Sequence, residues 1–269
     1  MLTLSTIFAQ DMLTPISWID HKKVDESSGI IFSKNYANIV WTHNDSGGKA
    51  RIFPLLNFKR DKKLVKHIKL KKAKNHDFED ISLYMNNKII VADMGNNSNN
   101  REDLKLYIFD EPNPYYDKKV AVETIHLRYP DQTFSHRDLR NFDSEALYTI
   151  GKEIYILTKN RSDNNTKLYK VKNRNYKINT LQAIDTFPIG EMVTAADADN
   201  DRVVVLTYSS IWLFDGKDEN IFNRAIYTLD IEAGQAEAVA LKGEYIYITN
   251  ENRQVFRVKI AELLPYHPR

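Results

Sequence analysis

The 269-residue chain contains no cysteine. That excludes disulfides, thiolate zinc centres, iron–sulfur clusters and a cysteine nucleophile, so any metal must be held by oxygen or imidazole. Glycine (9) and proline (8) are scarce, so tight turns must draw on Asn and Asp, which also tolerate turn conformations. No apolar run approaches the roughly 20 residues of a bilayer-spanning helix. Neither sign of charge dominates: 38 Lys and Arg stand against 36 Asp and Glu, a formal +2, which argues against a nucleic-acid partner attracted by global charge. A G-x-S-x-G elbow, a Walker-type phosphate loop and an H-E-x-x-H helix are also missing, so serine hydrolase, P-loop NTPase and zincin readings have no support. What the chain does have is 15 Tyr and 12 Phe set in short alternating runs, the composition of strands.

A short phrase recurs along these runs: a polar residue, a spacer, a polar or small residue, a spacer, then an aliphatic residue opening an alternating strand. Five copies align, at Glu26–Ile30, Asp77–Ile81, Asp143–Leu147, Thr194–Ala198 and Gln235–Val239. Each is followed by a second strand, with turn residues such as Asn86-Asn87, Gly151-Lys152, Asn200-Asp201 and Lys242-Gly243 between the two in the last four copies. The third position of the phrase falls at 28, 79, 145, 196 and 237. Such spacing suits four-stranded propeller blades of roughly 40 to 50 residues with loop insertions.

The expectation is therefore an all-β chain forming a single β-propeller of five four-stranded blades, with a sixth accommodated if the long interval between Glu79 and Glu145 hides one. The N-terminal strand around Ile16–Ile19 is expected to join the last blade and close the ring. A two-sheet sandwich is the alternative, but it gives no reason for one polar phrase to open successive hairpins. Outer strands are expected at Val120 to Leu127 and Ile226 to Leu229, and one helical turn at Ile260 to Leu264 ahead of Pro265. Residues 13–269 are assigned to the propeller. Residues 1–12 are read as a tail or the remnant of a signal segment, because Leu2 to Ala9 is apolar but lacks a charged leader. A monomer in the periplasm or outside the cell is expected, with the cytoplasm left open.

Inner strands of a propeller line its central channel, so equivalent positions form rings. One ring holds Glu26, Asp77, Asp143, Thr194 and Gln235, and the next Ser28, Glu79, Glu145, Ala196 and Glu237; residues two apart share a strand face. Six carboxylates (Glu26, Asp77, Glu79, Asp143, Glu145 and Glu237) thereby converge. Unit charges about 4 Å apart repel by roughly 4 kcal/mol at an effective dielectric near 20, so the cluster needs neutralising. Calcium or a similar divalent cation is one answer, because it accepts six to eight oxygens in irregular geometry. A hydrated pore with a lysine counter-charge is another, and carboxylates turned outward on a misaligned strand a third. A second constellation follows the second strands: His43, Asn44, Asp45, Asp93, Asn96, Lys159, Tyr208 and Glu251. These are placed at the pore mouth as ligand contacts, with His43 or Asp93 as proton acceptor; Asx-turns and backbone caps are the structural alternative. The basic stretch from Lys59 to Lys74, with Ile68 and Leu70 alternating, reads as an outer strand with a lysine-rich edge that discourages pairing, or as a patch for acidic glycan, phosphate or membrane.

The order and wording of several segments carry a resemblance. Trp41-Thr42-His43-Asn44-Asp45-Ser46-Gly47, Asp77-Phe78-Glu79-Asp80-Ile81, and Ala92-Asp93-Met94-Gly95-Asn96-Asn97 with Arg101 and Glu111-Pro112 resemble a family of mostly uncharacterised bacterial β-propellers. Its phrases are W-x-H-N-D-S-G, D-W-E-D-I and G-D-I-G-D-N. The likeness spans roughly residues 24 to 251 and implies the propeller fold; the family is similar in turn to phytase-like and SdiA-regulated propellers and, more distantly, to calcium-dependent gluconolactonases. It implies a counter-charge at Lys159. The chain departs from the pattern at Met94 and Asn96, and at Leu206, where the family often has Arg. The reading reached is a binding module or scaffold with an acidic, calcium-binding pocket open to a small molecule or protein; the alternative is a metal-dependent hydrolase of phosphoesters or lactones.

Overall fold

In the computed structural model the chain folds as five sheets around one axis, and residues 11–85, 87–134, 140–172, 177–224 and 226–267 are described. The inner strands of blades 1 to 5 are Ser27–Phe32, Phe78–Tyr84, Asp143–Ile150, Val193–Asp199 and Ala236–Lys242. Each pairs antiparallel with a second strand, and each second strand with a third. The last blade is completed by Ser17–Trp18, which pairs with Gln254–Lys259, so the ring is closed by the start of the chain, as expected. The apolar segment Leu2 to Ala9 and the turn residue Asn86 lie outside the described residues. Asp11–Met12 pairs parallel with Ile231 and Glu232 at the edge of blade 4, so the propeller reaches back to Asp11.

Alternation explains why strands so rich in apolar residues assemble this way. Successive side chains leave opposite faces of a strand, and each blade has a neighbour on both sides. Ile90 packs towards blade 3 and Val91 towards blade 1. Five apolar clusters result, one at each blade interface. Trp41, fully buried, donates from Nε1 to Glu111 Oε1 at 2.7 Å, and this bond ties blade 1 to the blade 2 loop.

Among the described residues no sixth blade fills the Glu79–Glu145 interval. The stretch Val120 to Leu127, read from sequence as one strand, divides at Val122. Lys119–Ala121 runs parallel to the outer strand Ile68–Lys71 of blade 1, whereas Glu123–Arg128 completes blade 2. The lysine-rich edge is therefore paired. Its lysines stand perpendicular to the sheet on the exposed face (burial alternates along Ile68–Lys71) and leave the backbone edge open to a partner. Asn179–Thr180 covers blade 2 in the same way. The helical turn appears as a 3-10 turn at Ile260–Glu262.

One feature of register matters for the pore. Every inner strand carries an irregularity near its start, between Ser27 and Gly29, Phe78 and Asp80, Ser144 and Ala146, Val193 and Ala195, and Ala236 and Ala238. Such bulges re-aim a side chain. The inserted residues are Ser28, Glu79, Glu145, Thr194 and Glu237. The fourth copy of the phrase is therefore Met192–Ala196, with Thr194 in place of Ala196 at the ring position. A slip of one residue would have moved apolar side chains to the wrong face; a slip of two preserves every face, so alternation alone could not detect it.

Candidate metal centre at the pore mouth

The bulges and the ends of the second strands enclose a cavity of about 160 Å³ at one end of the channel. Six carboxylates line it (Glu26, Asp45, Glu79, Glu145, Glu237 and Glu251) with two cations, Lys159 and Arg161. Glu79 lies at the centre of two overlapping groups: Asp45, Asp77 and Glu79, and Glu79, Asp143 and Glu145 each offer oxygens within 4.8 Å of one another. Gly95 makes room for them. A Cβ at this residue would collide with the Glu79 and Asp77 carboxylates.

The two groups differ in what neutralises them. On the blade 3 side, Lys159 Nζ lies 2.9 Å from Glu145 and Arg161 lies 2.8 Å from Asp143 and 3.3 Å from Glu145. Lys159 also donates to Tyr208 at 2.8 Å. Burial opposes the ammonium, yet Glu145 and then Glu237 hold its pKa above the usual lysine range. Burial, and then Asp143, push Glu145 well up. With both partners buried and in contact, the charged pair is the state that satisfies each. On the blade 1 side no cation contacts Asp45 or Asp77 among the described residues. Burial and the neighbouring Asp77 raise Asp45 to about 6; burial and then Asp143 raise Asp77. Glu79, 5% exposed, makes no side-chain hydrogen bond or ion pair with a described residue. Burial first, then Glu145, push it well above the carboxylate range. Burial raises Glu237 to about 7, against the pull of Lys159.

Other residues expected at the mouth are placed elsewhere. His43 is fully buried between blades 1 and 2, edge-on to Phe78, and its Nδ1 meets the Asn44 carbonyl at 3.1 Å. Burial lowers its pKa to about 4, so the ring is neutral at pH 7, and it does not line the cavity. Asp93 is bound by Arg101 at 3.0 Å and accepts from the Asp77 N–H at 3.0 Å. Asn44 bonds to Asp25 and to the Lys23 carbonyl. Asn96 organises its own loop, accepting from the N–H groups of Asn100 and Arg101 and donating its own N–H to Asp143 at 2.6 Å. Asn44 and Asn96 thus hold loops, and Asp93 is held in an ion pair.

Three side chains important here were not singled out from the sequence. Arg161 supplies a cation near the pore, two residues beyond Lys159, a spacing that a closer look at the strand end would have shown. Asp80 and Asp197 are buried deeper in the channel. Asp80 accepts backbone N–H groups from Ile81 (2.8 Å), Leu147 (2.8 Å) and Ala196 (3.2 Å), joining blades 2, 3 and 4. Asp197 accepts from Leu241 of blade 5 at 2.8 Å. No alternation signal separates Asp80 from Glu79, because the bulge at Glu79 turns both inward.

No protein-family model matches the sequence, and no curated protein does. Among solved structures, the chain is similar to a glutaminyl cyclase from Myxococcus xanthus, at 9% identity and TM-score 0.53, covering 95% of this chain and 98% of that one. It is also similar to a glucose dehydrogenase-type oxidoreductase from Thermus thermophilus, at 8% identity and TM-score 0.50, covering 94% and 99%. A third likeness is to the β-propeller domain of Myceliophteria thermophila Cps50, at 9% identity and TM-score 0.43, covering 87% and 83%. At such identities the likeness concerns the fold alone. The class is that of a five-bladed β-propeller with a buried acidic group able to hold a metal ion.

Proposed function

We propose that the protein is a binding module of the bacterial propeller family it resembles, and that its pore mouth holds a calcium-type divalent cation. Asp45, Asp77 and Glu79 are the ligands on the open side, with Asp143 and Glu145 completing the shell. The observation that carries this reading is Glu79: a buried carboxylate with no hydrogen-bond or ion-pair partner among the described residues, grouped with Asp45 and Asp77, which no described side-chain cation contacts. An oxygen-only donor set around a hard cation is the chemistry these residues fit. Glu26, Glu237 and Glu251, around the rim, are the groups through which a bound ion would meet a ligand. A hydrolase reading draws on one observation, that Glu237 lines the cavity beside Tyr208 while His43 and Asp93 do not line it; in that reading Glu237 accepts the proton.

The test pairs elemental analysis of chelator-free protein with thermal melts in calcium and in EDTA. Wild type is expected to retain about one ion and to melt several degrees higher in calcium. Glu79→Gln should lose both effects while melting in EDTA at or above the wild-type temperature, since it removes repulsion. Absence of a calcium shift in wild type would end the metal reading. Turnover of a phosphoester or lactone that vanishes in Glu237→Gln, with ion content unchanged, would favour the hydrolase.

A further inference from the structure

The charge balance of the whole chain conceals a strong asymmetry. Residues 16–76, which close blade 5 and build blade 1, hold 14 Lys and Arg against 5 Asp and Glu, in a protein whose total is +2. Two of those five acids, Glu26 and Asp45, belong to the pore mouth. The cations gather along the rim of blade 1. Lys66 above all, then burial, and then Arg51 and Lys49 hold the Lys23 ammonium below the usual lysine range. Arg60 and Lys66 both act on His21, so the rim is continuous with Arg60.

Arg60 in turn borders a groove of about 720 Å³ at the seam of blades 5 and 1. The groove opens on the face opposite the pore mouth: Phe32 and Lys242, which line it, end the strands that Ser27 and Ala236 begin. Four cations, Lys59, Arg60, Lys242 and Arg257, stand against one carboxylate, Asp61. None of the four forms an ion pair with a described residue, and Asp61 already accepts the Lys63 N–H at 2.7 Å. The floor is aromatic, with Phe58 stacked on Tyr247 at 5.8 Å and Phe32 edge-on to Tyr247 at 4.8 Å. Phe58 follows Asn57 in a two-residue turn with both φ angles positive, at 66° and 48°. A bulky residue is rare there, and such strain collects at binding sites.

We propose that this groove and the adjoining blade 1 rim bind an acidic polysaccharide. Charge complementarity requires an anionic partner. Twelve of the 14 cations of residues 16–76 are Lys, and the groove itself sets Lys59 and Lys242 beside Arg60 and Arg257; both cation types suit sulfate or carboxylate groups repeated along a chain. The aromatic faces are taken up by one another and by Lys242, which lies 4.4 Å from the Phe32 ring centroid, so no open platform is left to stack a base. The cations line a recessed groove, a shape that fits a polymer strand better than a flat bilayer surface.

Binding of heparin and of polygalacturonate, measured at low salt in EDTA, tests the site independently of the pore. Wild type is expected to bind at least one of the two, with affinity falling as salt rises. Lys242→Glu/Arg257→Glu should weaken binding about tenfold or more, and Lys59→Glu/Arg60→Glu likewise; all four positions are exposed, and matching melts establish that the variants fold. Lys217→Glu, on blade 4, should bind like wild type. Failure of wild type to bind either polysaccharide, equal binding by all variants, or tighter binding to duplex DNA or phosphatidylglycerol vesicles would overturn the proposal.

Discussion

The mouth of the channel and its waist both hold buried carboxylates, and the two regions satisfy them in opposite ways. At the waist Asp80 and Asp197 accept backbone N–H groups from neighbouring inner strands. At the mouth the Glu79 carboxylate, beside Asp80, accepts no hydrogen bond from a described residue. Burial pushes the pKa of both well up, but only for Asp80 do three amide hydrogen bonds pull the other way. Backbone donors cannot leave, so the waist is a permanent fastening of blades 2, 3, 4 and 5. An unmet carboxylate among others is a vacancy for a proton or a cation. The comparison separates a structural acid from a functional one by the partners each has, where burial alone would class them together.

Removing the waist acid should have the largest effect. Asp80→Ala strands three buried N–H groups, and a loss of about 3–5 kcal/mol is expected in denaturant unfolding; a loss below about 1 kcal/mol would mean that the waist bonds do not hold the blades together. Next comes the counter-charge at the mouth. Lys159→Met leaves Glu145 beside Asp143 with Arg161 alone, and should cost about 2–4 kcal/mol in the same measurement. Adding calcium should return part of that loss if the ion and the ammonium neutralise the same group.

The smallest effect is the pH dependence of the mouth. Asp45 and Glu237 have folded pKa values of about 6 and 7, above their ordinary values of 3.8 and 4.5. The folded state therefore holds more protons than the unfolded one in those windows, and stability falls as pH rises through them. In EDTA the melting temperature should drop between about pH 4 and 7, by roughly 3–6 °C after allowance for solvent screening. Calcium should flatten the curve, because an ion takes the place of the protons. A flat curve in EDTA would show that water and Lys159 already neutralise the mouth.

Much of the fold was legible because its cause is local and periodic. The polar phrase, the alternating apolar runs and the turn residues at Gly151, Asn200 and Gly243 each act over a few residues and repeat from blade to blade. The site was partly legible for the same reason. Glu79, Glu145 and Glu237 occupy one position of the repeat, and the pairing of Lys159 with Glu145 matches the counter-charge that the resemblance implied. Depth was not legible, because residue type does not reveal it: the same strand end carries Asp45 to the cavity and His43 into the blade interface. Thr194 was displaced by Ala196 because a two-residue slip keeps every face intact. Lys119–Ala121 was joined to Glu123–Arg128 because nothing in the alternation marks a change of blade.

The sequence by itself determined the repeated inner hairpins of the blades and the closing role of Ser17–Trp18, since alternation and burial on two faces leave few other ways to hide so many apolar side chains. Which carboxylates are satisfied and which are not was decided only by the tertiary structure. That difference turns on a bulge of one residue and on amides brought from three other blades, and contacts between residues as far apart as Asp80 and Ala196 have no trace in the local pattern from which the strands were read.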